Sequence, residues 1–157
     1  MRCLTRSEAD TARLAARLAG MLAPGDTVLL EGDLGAGKSV VARGIARGMG
    51  ISGPIPSPTF TLMVPHEADG RKLYHFDLYR LSVVDEYYAA GLDEFVGGDG
   101  VAVVEWPQMA QLEVSPALRI HLERSDEDDW RVLDITDDGV AGWDPARLSE
   151  WRLGEEE

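Results

Sequence analysis

The sequence predicts an α/β fold with a mixed central β-sheet that is flanked by helices and carries antiparallel hairpins. Two short apolar segments, "TVLLE" at 27–31 and "VAVVEW" at 101–106, are typical of buried strands in a parallel sheet. In the first part of the chain, predicted helices alternate with predicted strands. Near its end, two further predicted strands form an antiparallel pair. At 157 residues, 45% of them hydrophobic, the chain has the size of one domain.

The N-terminal half predicts two helices around the first strand. "SEADTARLAARLAGMLAPG" should form a helix that is capped by Ser7 and stopped by Pro24-Gly25. After the strand and a glycine-rich turn, "KSVVARGIARGMG" has helical spacing and ends in glycines. "ISGPIPSPTF" contains three prolines and should be an extended loop. The predicted order is therefore strand, glycine-rich turn, helix.

The second half predicts hairpins. "FTLMVPH" at 60–66 and "LYHFDLY" at 73–79 should pair across an Asp-Gly turn, and "SVVDEYYAAG" should be a short helix. "LRIHLER" and "WRVLDIT" should pair across the acidic turn "SDEDD", and "PARLSEW" should close the domain as a helix. We expect a single domain over 1–157 with a disordered tail at 153–157.

Composition narrows the class of protein. The formal net charge is −13, which disfavours direct binding to nucleic acid. The longest apolar runs are too short to cross a bilayer and the N-terminus has no signal-peptide pattern, so we expect a cytoplasmic protein. Cys3 is the single cysteine, which excludes an internal disulfide, and we expect it to be an inert thiol in a fraying N-terminus.

The segment "GDLGAGKS" fits the phosphate-binding pattern G-x-x-x-x-G-K-[ST]. A chance match in a chain of this composition has a probability on the order of one in several hundred, and the predicted strand before it and helix after it give the required context. The glycines let backbone N–H groups point at phosphate oxygens, Lys38 would bridge the β- and γ-phosphates, and Ser39 would bind Mg²⁺. The pattern predicts a P-loop NTPase whose nucleotide-binding residues are Gly32, Asp33, Leu34, Gly35, Ala36, Gly37, Lys38, Ser39 and Val40.

The absence of asparagine narrows the identity of the nucleotide's base. Guanine-specific P-loop proteins read their base with an Asn-Lys-x-Asp loop, and this sequence has no asparagine, so ATP is favoured over GTP. Glu8, Thr11 and Arg131 are candidates for the adenine side of the site, although capping or ordinary surface roles explain them equally well.

A P-loop enzyme also needs an acid at the end of a buried strand to serve the metal. Asp77 ends "LYHFD" and Glu105 ends "VAVVE", and the sequence leaves open which of them does so. Trp106 follows Glu105 and would by default be a packing residue. "SPTFT" offers hydroxyls on a loop where related folds place a γ-phosphate sensor. His75 alternates with Asp77 along one strand and is interpreted as a structural histidine.

Together, "GDLGAGKS", "SPTFTL", "YHFDLYR" and "VEWPQ" resemble, in order and spacing, the bacterial tRNA threonylcarbamoyladenosine biosynthesis ATPases of the TsaE family. The resemblance spans roughly residues 5–135. It implies a weak, Mg²⁺-dependent ATPase that supports multiple turnover of a TsaD–TsaB partner complex. In such a system the partner transfers threonylcarbamoyl to the adenosine next to the anticodon of tRNAs that read codons beginning with A.

The resemblance also implies roles for individual residues. Ser39 and Glu105 would hold Mg²⁺, Lys38, Asp77 and Trp106 would serve catalysis, and Thr59 would be the functional hydroxyl of a switch-like loop. The protein would reach tRNA only through its partner and would be a monomer when isolated.

The chain departs from the family pattern in three places. Ser39 stands where threonine is frequent, which keeps the hydroxyl, and Pro56 stands where a lysine is frequent, so a contact from that lysine does not transfer. "SVVDEYYAAGLDEF" differs from the family's usual acidic helix start, so partner contacts there do not transfer either.

Two other functions share the same motif. A small-molecule kinase would need an acceptor site and an arginine-bearing lid, and the arginines here are scattered. A nucleotide-sensing scaffold without essential hydrolysis would use the same P-loop, so only experiment separates it from an ATPase.

Overall fold

The computed structural model describes residues 1–154. Its strands and helices are, in chain order, β1 (Arg2–Thr5), α1 (Glu8–Ala19), β2 (Thr27–Glu31), α2 (Lys38–Gly48), β3 (Met63–Ala68), β4 (Arg71–Asp77), α3 (Val84–Ala89), β5 (Val101–Glu105), β6 (Ala117–Arg124) and β7 (Arg131–Asp138). Short 3₁₀ helices cover Leu92–Phe95, Pro107–Ala110 and Pro145–Trp151.

The strands form one seven-stranded sheet in the order β1-β7-β6-β2-β5-β4-β3. The four central strands, β6, β2, β5 and β4, are parallel, whereas β3, β7 and β1 are antiparallel to their neighbours. Buried side chains form one cluster between the sheet and helices α1 and α2, and a second cluster under α3 on the opposite face. The predicted α/β class, with a mixed sheet, flanking helices and antiparallel hairpins, is confirmed.

Two glycines of α2 lie at its contact with α1. Ser7 caps α1 as predicted, its Oγ accepting the Asp10 N–H at 3.0 Å. A Cβ on Gly44 would lie 2.6 Å from the Cβ of Ala15, and a Cβ on Gly48 would lie 2.6 Å from the Ala16 carbonyl oxygen. The missing side chains therefore let the two helix backbones approach each other.

The N-terminus differs from the prediction. Residues Arg2–Thr5 form strand β1 against β7, with Cys3 opposite Leu133. Cys3 is fully buried, and burial raises the pKa of its thiol to about 11. The expectation of a fraying N-terminus was wrong because β7 supplies a pairing partner from the far end of the chain.

Other boundaries shift as well. Strand β3 begins at Met63 instead of residue 60, and Phe60 is 83% exposed in a turn. Pro145–Trp151 is a 3₁₀ helix, and the Leu153 N–H donates to the Arg2 carbonyl. The tail predicted to be disordered at 153–157 was wrong at Leu153, which this bond ties to β1, and residues 155–157 lie outside the described residues. Within 1–154, no helix has both the length and the apolar character needed to cross a bilayer.

Candidate phosphate-binding site

The parallel strands β2, β4 and β5 end at the same edge of the sheet, and a cavity of about 510 Å³ opens there. Thirteen of the sequence-predicted residues line it: Glu8, Thr11, Leu34, Gly35, Gly37, Lys38, Ser39, Val40, Thr59, Asp77, Glu105, Trp106 and Arg131. Gly32, Asp33 and Ala36 belong to the same loop but do not line the cavity. Its position at the carboxyl ends of parallel strands is the usual ligand position in open α/β sheets.

The glycine-rich loop is bent by residues in left-handed backbone conformations. Gly35 has φ 78° and Gly37 has φ 110°, values that other residues rarely adopt. Gly37 is the N-cap of α2, and it offers no side chain to the first N–H groups of that helix. Among the described residues, those groups have no side-chain cap, and the first turn of α2 carries no acid. Free N–H groups at a positive helix end suit an anion such as phosphate.

Lys38 lies at the base of this loop. Its Nζ donates to the carbonyl oxygens of Gly32 at 2.6 Å and Asp33 at 2.7 Å, and it lies 4.1 Å from the centroid of the Trp106 ring. Burial lowers the pKa of Lys38, while the charge of Glu105 acts in the opposite direction. The ammonium group is therefore held inside the cavity by two carbonyl oxygens of the loop.

Ser39 and Glu105 meet across the cavity. The Ser39 hydroxyl donates to Glu105 Oε1 at 2.9 Å, and the Glu105 side chain is 4% exposed. A hydroxyl and a carboxylate are hard oxygen ligands of the kind Mg²⁺ binds. Within the described residues, no group of three or more His, Cys, Asp or Glu side chains could hold a metal by itself. The pair could hold a Mg²⁺ ion through these two oxygens.

Asp77 lies next to Glu105 on the neighbouring strand, in register with it. Asp77 Oδ1 accepts the Tyr79 N–H at 3.0 Å, and Oδ2 lies 3.4 Å from the Thr59 hydroxyl. The Thr59 hydroxyl is also 2.6 Å from the Ser57 hydroxyl. The proline-rich loop thus contacts the second acid of the site through Thr59.

Trp106 has a strained backbone. Its φ of 59° and ψ of 49° are left-handed, which is uncommon outside glycine and is found preferentially at functional sites. The ring packs against Tyr79, with centroids 4.8 Å apart, as well as against the Lys38 ammonium. Trp106 therefore forms one wall of the cavity and, as a partly buried residue, also packs against the core cluster under α3.

The three candidates for the adenine side differ in their contacts. Thr11 is 2% exposed, and its hydroxyl is 2.6 Å from Thr5 Oγ1 and donates to the Ser7 carbonyl. Glu8 lines the cavity from the first turn of α1. Arg131 Nε donates to the carbonyl oxygen of Ala36 at 3.0 Å, within the glycine-rich loop.

Sequence reasoning missed several cavity residues. Tyr79 and Arg80 follow Asp77 in "DLYR", and Asp129 comes from the acidic turn. His75 does not line the cavity, but as a buried histidine with a hydrogen-bond partner it contacts the site, its Nε2 lying 2.6 Å from Glu105 Oε2. Its alternation with Asp77 was the available signal, because residues two apart on a strand share a face.

The chain matches known proteins over most of its length. The sequence profile of the family described as "Threonylcarbamoyl adenosine biosynthesis protein TsaE" matches residues 5–132. Among curated relatives named "tRNA threonylcarbamoyladenosine biosynthesis protein TsaE", that of Treponema pallidum is 43% identical over 73% of this chain and 84% of its own length. The Bacillus subtilis relative is 38% identical over 78% of this chain and 77% of its own length.

The fold also matches a solved structure. The crystal structure of Bacillus subtilis YdiB superimposes with a TM-score of 0.73 at 33% sequence identity, covering 96% of this chain and 89% of that one. This similarity agrees with the P-loop NTPase fold expected from the sequence.

Proposed function

Because the chain belongs to the TsaE family of threonylcarbamoyl adenosine biosynthesis proteins, we propose that it binds ATP with Mg²⁺ and hydrolyses it slowly in support of tRNA modification in the cytoplasm. The partner would be a TsaD–TsaB type complex, and hydrolysis would allow that complex to turn over repeatedly. The observation that carries the proposal is the uncapped N-terminus of α2, which faces a cavity that also holds Lys38 and the Ser39–Glu105 pair.

The residues of the cavity have distinct roles in this proposal. The N–H groups of the glycine-rich loop and the Lys38 ammonium bind the phosphates, and Ser39 and Glu105 hold the metal. A Mg²⁺ ion held there would supply positive charge that offsets the negative charge of the nucleotide's phosphates. Asp77, fixed by the Tyr79 N–H, orients the attacking water, and Thr59 links this acid to the proline-rich loop. Trp106 covers the lysine and excludes solvent from it.

Substitutions at the phosphates and at the metal test the proposal in a reconstituted reaction with a TsaD–TsaB type complex, tRNA and ATP. Lys38→Ala and Glu105→Gln should abolish ATP hydrolysis and limit modification to about one turnover per complex. Glu113→Gln, which changes an exposed carboxylate outside the cavity, is the matched control and should behave as wild type. Repeated turnover with a variant that cannot hydrolyse ATP would contradict the proposal and support a scaffold whose hydrolysis is not essential.

The acidic surface predicts that the protein reaches tRNA through its partner. With a formal net charge of −13, the isolated protein should not retain tRNA at physiological salt. A filter-binding or gel-shift titration measures this directly. Tight, salt-sensitive binding of tRNA by the protein alone would refute this part of the proposal.

A further inference from the structure

Glu105 forms a buried pair with a histidine from the neighbouring strand. In the parallel pairing of β4 with β5, His75 is opposite Val103 and Asp77 is opposite Glu105. His75 is therefore the diagonal neighbour of Glu105 on the same face of the sheet. Its Nε2 lies 2.6 Å from Glu105 Oε2, and both side chains are only 4% exposed.

The two oxygens of Glu105 each have their own partner. Oε1 accepts from the Ser39 hydroxyl at 2.9 Å, and Oε2 faces His75 Nε2. An ionised carboxylate can only accept a hydrogen bond. The imidazole is therefore the donor, and its proton is on Nε2. A buried carboxylate oxygen without a donor is costly, and two donors from different elements fix the orientation of the carboxylate plane.

We infer that His75 is a positioning residue, whose Nε2–H holds the Glu105 carboxylate in the orientation that receives the metal of a Mg²⁺–nucleotide complex. The inference rests on the proposed function, since it assigns Glu105 to that metal. Carboxylates that ligate metals are themselves hydrogen-bonded, and loss of such a partner commonly lowers metal affinity by about 10- to 100-fold. If the role of His75 were only structural, replacing it would instead affect folding and would change the binding of Mn²⁺ and of metal-free ADP alike.

Two amide variants separate these roles. His75→Gln can place a side-chain N–H where Nε2 stands, whereas His75→Asn is one methylene shorter and falls short of Oε2. Mn²⁺ affinity is measured from the EPR signal of free Mn²⁺ with the protein in excess over ADP, so that nearly all ADP is protein-bound. ADP affinity in EDTA is measured by calorimetry, and stability by thermal unfolding without ligand. His75→Asn should weaken Mn²⁺ binding at least about tenfold and leave metal-free ADP binding unchanged. His75→Gln should recover most of the Mn²⁺ affinity.

The outcomes separate the inference from the proposed function. Wild-type Mn²⁺ affinity in His75→Asn would overturn the inference, as would equal losses in both variants or a parallel loss of metal-free ADP binding. If the wild-type protein shows no Mn²⁺-dependent binding of ADP, the proposed function fails instead.

A measurement on the wild-type protein covers the case in which His75→Asn does not fold. The ¹⁵N–¹H spectrum of the imidazoles should show a protonated His75 Nε2 whose signal is absent in Glu105→Ala, which removes the acceptor, and shifts when Mg²⁺ is added to the ADP complex. A His75 signal that does not respond to Mg²⁺ would overturn the inference.

Discussion

Replacing Arg131 with methionine distinguishes two roles for this arginine. Its Nε donates to the Ala36 carbonyl at 3.0 Å, which braces the glycine-rich loop from β7. A hydrogen bond from a charged donor contributes about 1.5–3 kcal/mol when buried, and solvent screening at this partly buried site reduces it to about 1 kcal/mol. Because about 1.4 kcal/mol corresponds to tenfold in affinity, Arg131→Met should weaken phosphate binding about fivefold.

Calorimetric titration with ATP, GTP and tripolyphosphate, each with Mg²⁺, identifies which contact is lost. If Arg131 braces the loop, all three ligands lose affinity equally, because all three use the same N–H groups. Arg43→Met, on the exposed side of α2, is the matched control and should change none of them. A loss confined to ATP would show that Arg131 contacts adenine, and unchanged affinity for all three would refute both roles.

Three further predictions concern stability and reactivity. Cys3 should react with a disulfide reagent only after unfolding, because it is fully buried and its thiol pKa is about 11; rapid labelling of the native protein would contradict the β1 pairing. Gly44→Val should lower the free energy of unfolding in urea by about 1–3 kcal/mol, because its Cβ would meet that of Ala15; an unchanged midpoint would show that α1 and α2 separate easily. Burial lowers the pKa of His66, so the unfolded chain binds a proton at this residue more readily, and stability falls as the pH drops below about 6.5. His66→Phe should flatten this dependence in thermal scans from about pH 8 to about pH 5. Identical pH profiles of the variant and the wild type would exclude His66 as the source of the pH dependence.

The glycine-rich loop could be predicted because its information is local. Eight consecutive residues specify the turn, the lysine and the hydroxyl, and the apolar segment before them predicts the strand. Strand β1 could not be found in the same way. Its four residues are too short to show a period, and they become a strand only when Cys3 faces Leu133 of β7. The pairing of β1 with β7, which comes from the far end of the chain, therefore determines that β1 is a strand.

The acids of the site illustrate the same division between local and long-range information. A run of apolar residues that ends in a carboxylate marks Asp77 and Glu105, and parallel pairing then brings them side by side. What surrounds them depends on register and on loop paths. Arg131, the first residue of β7, donates to the Ala36 carbonyl within the glycine-rich loop. From sequence alone, it was a candidate only for the adenine side of the site.

His75 shows what alternation can and cannot establish. The spacing of His75 and Asp77 places both on one face of β4, but it does not give the offset of β5. With Asp77 opposite Glu105, the diagonal neighbour of Glu105 is His75; a two-residue shift of β5 towards the start of β4 would instead place Glu105 directly opposite His75. The buried pair is therefore a consequence of this register, and so is the access of Glu105 to Ser39 at the start of α2. Since one carboxylate receives both donors, a change at His75 should be felt at the metal side of the cavity before it is felt at the phosphates.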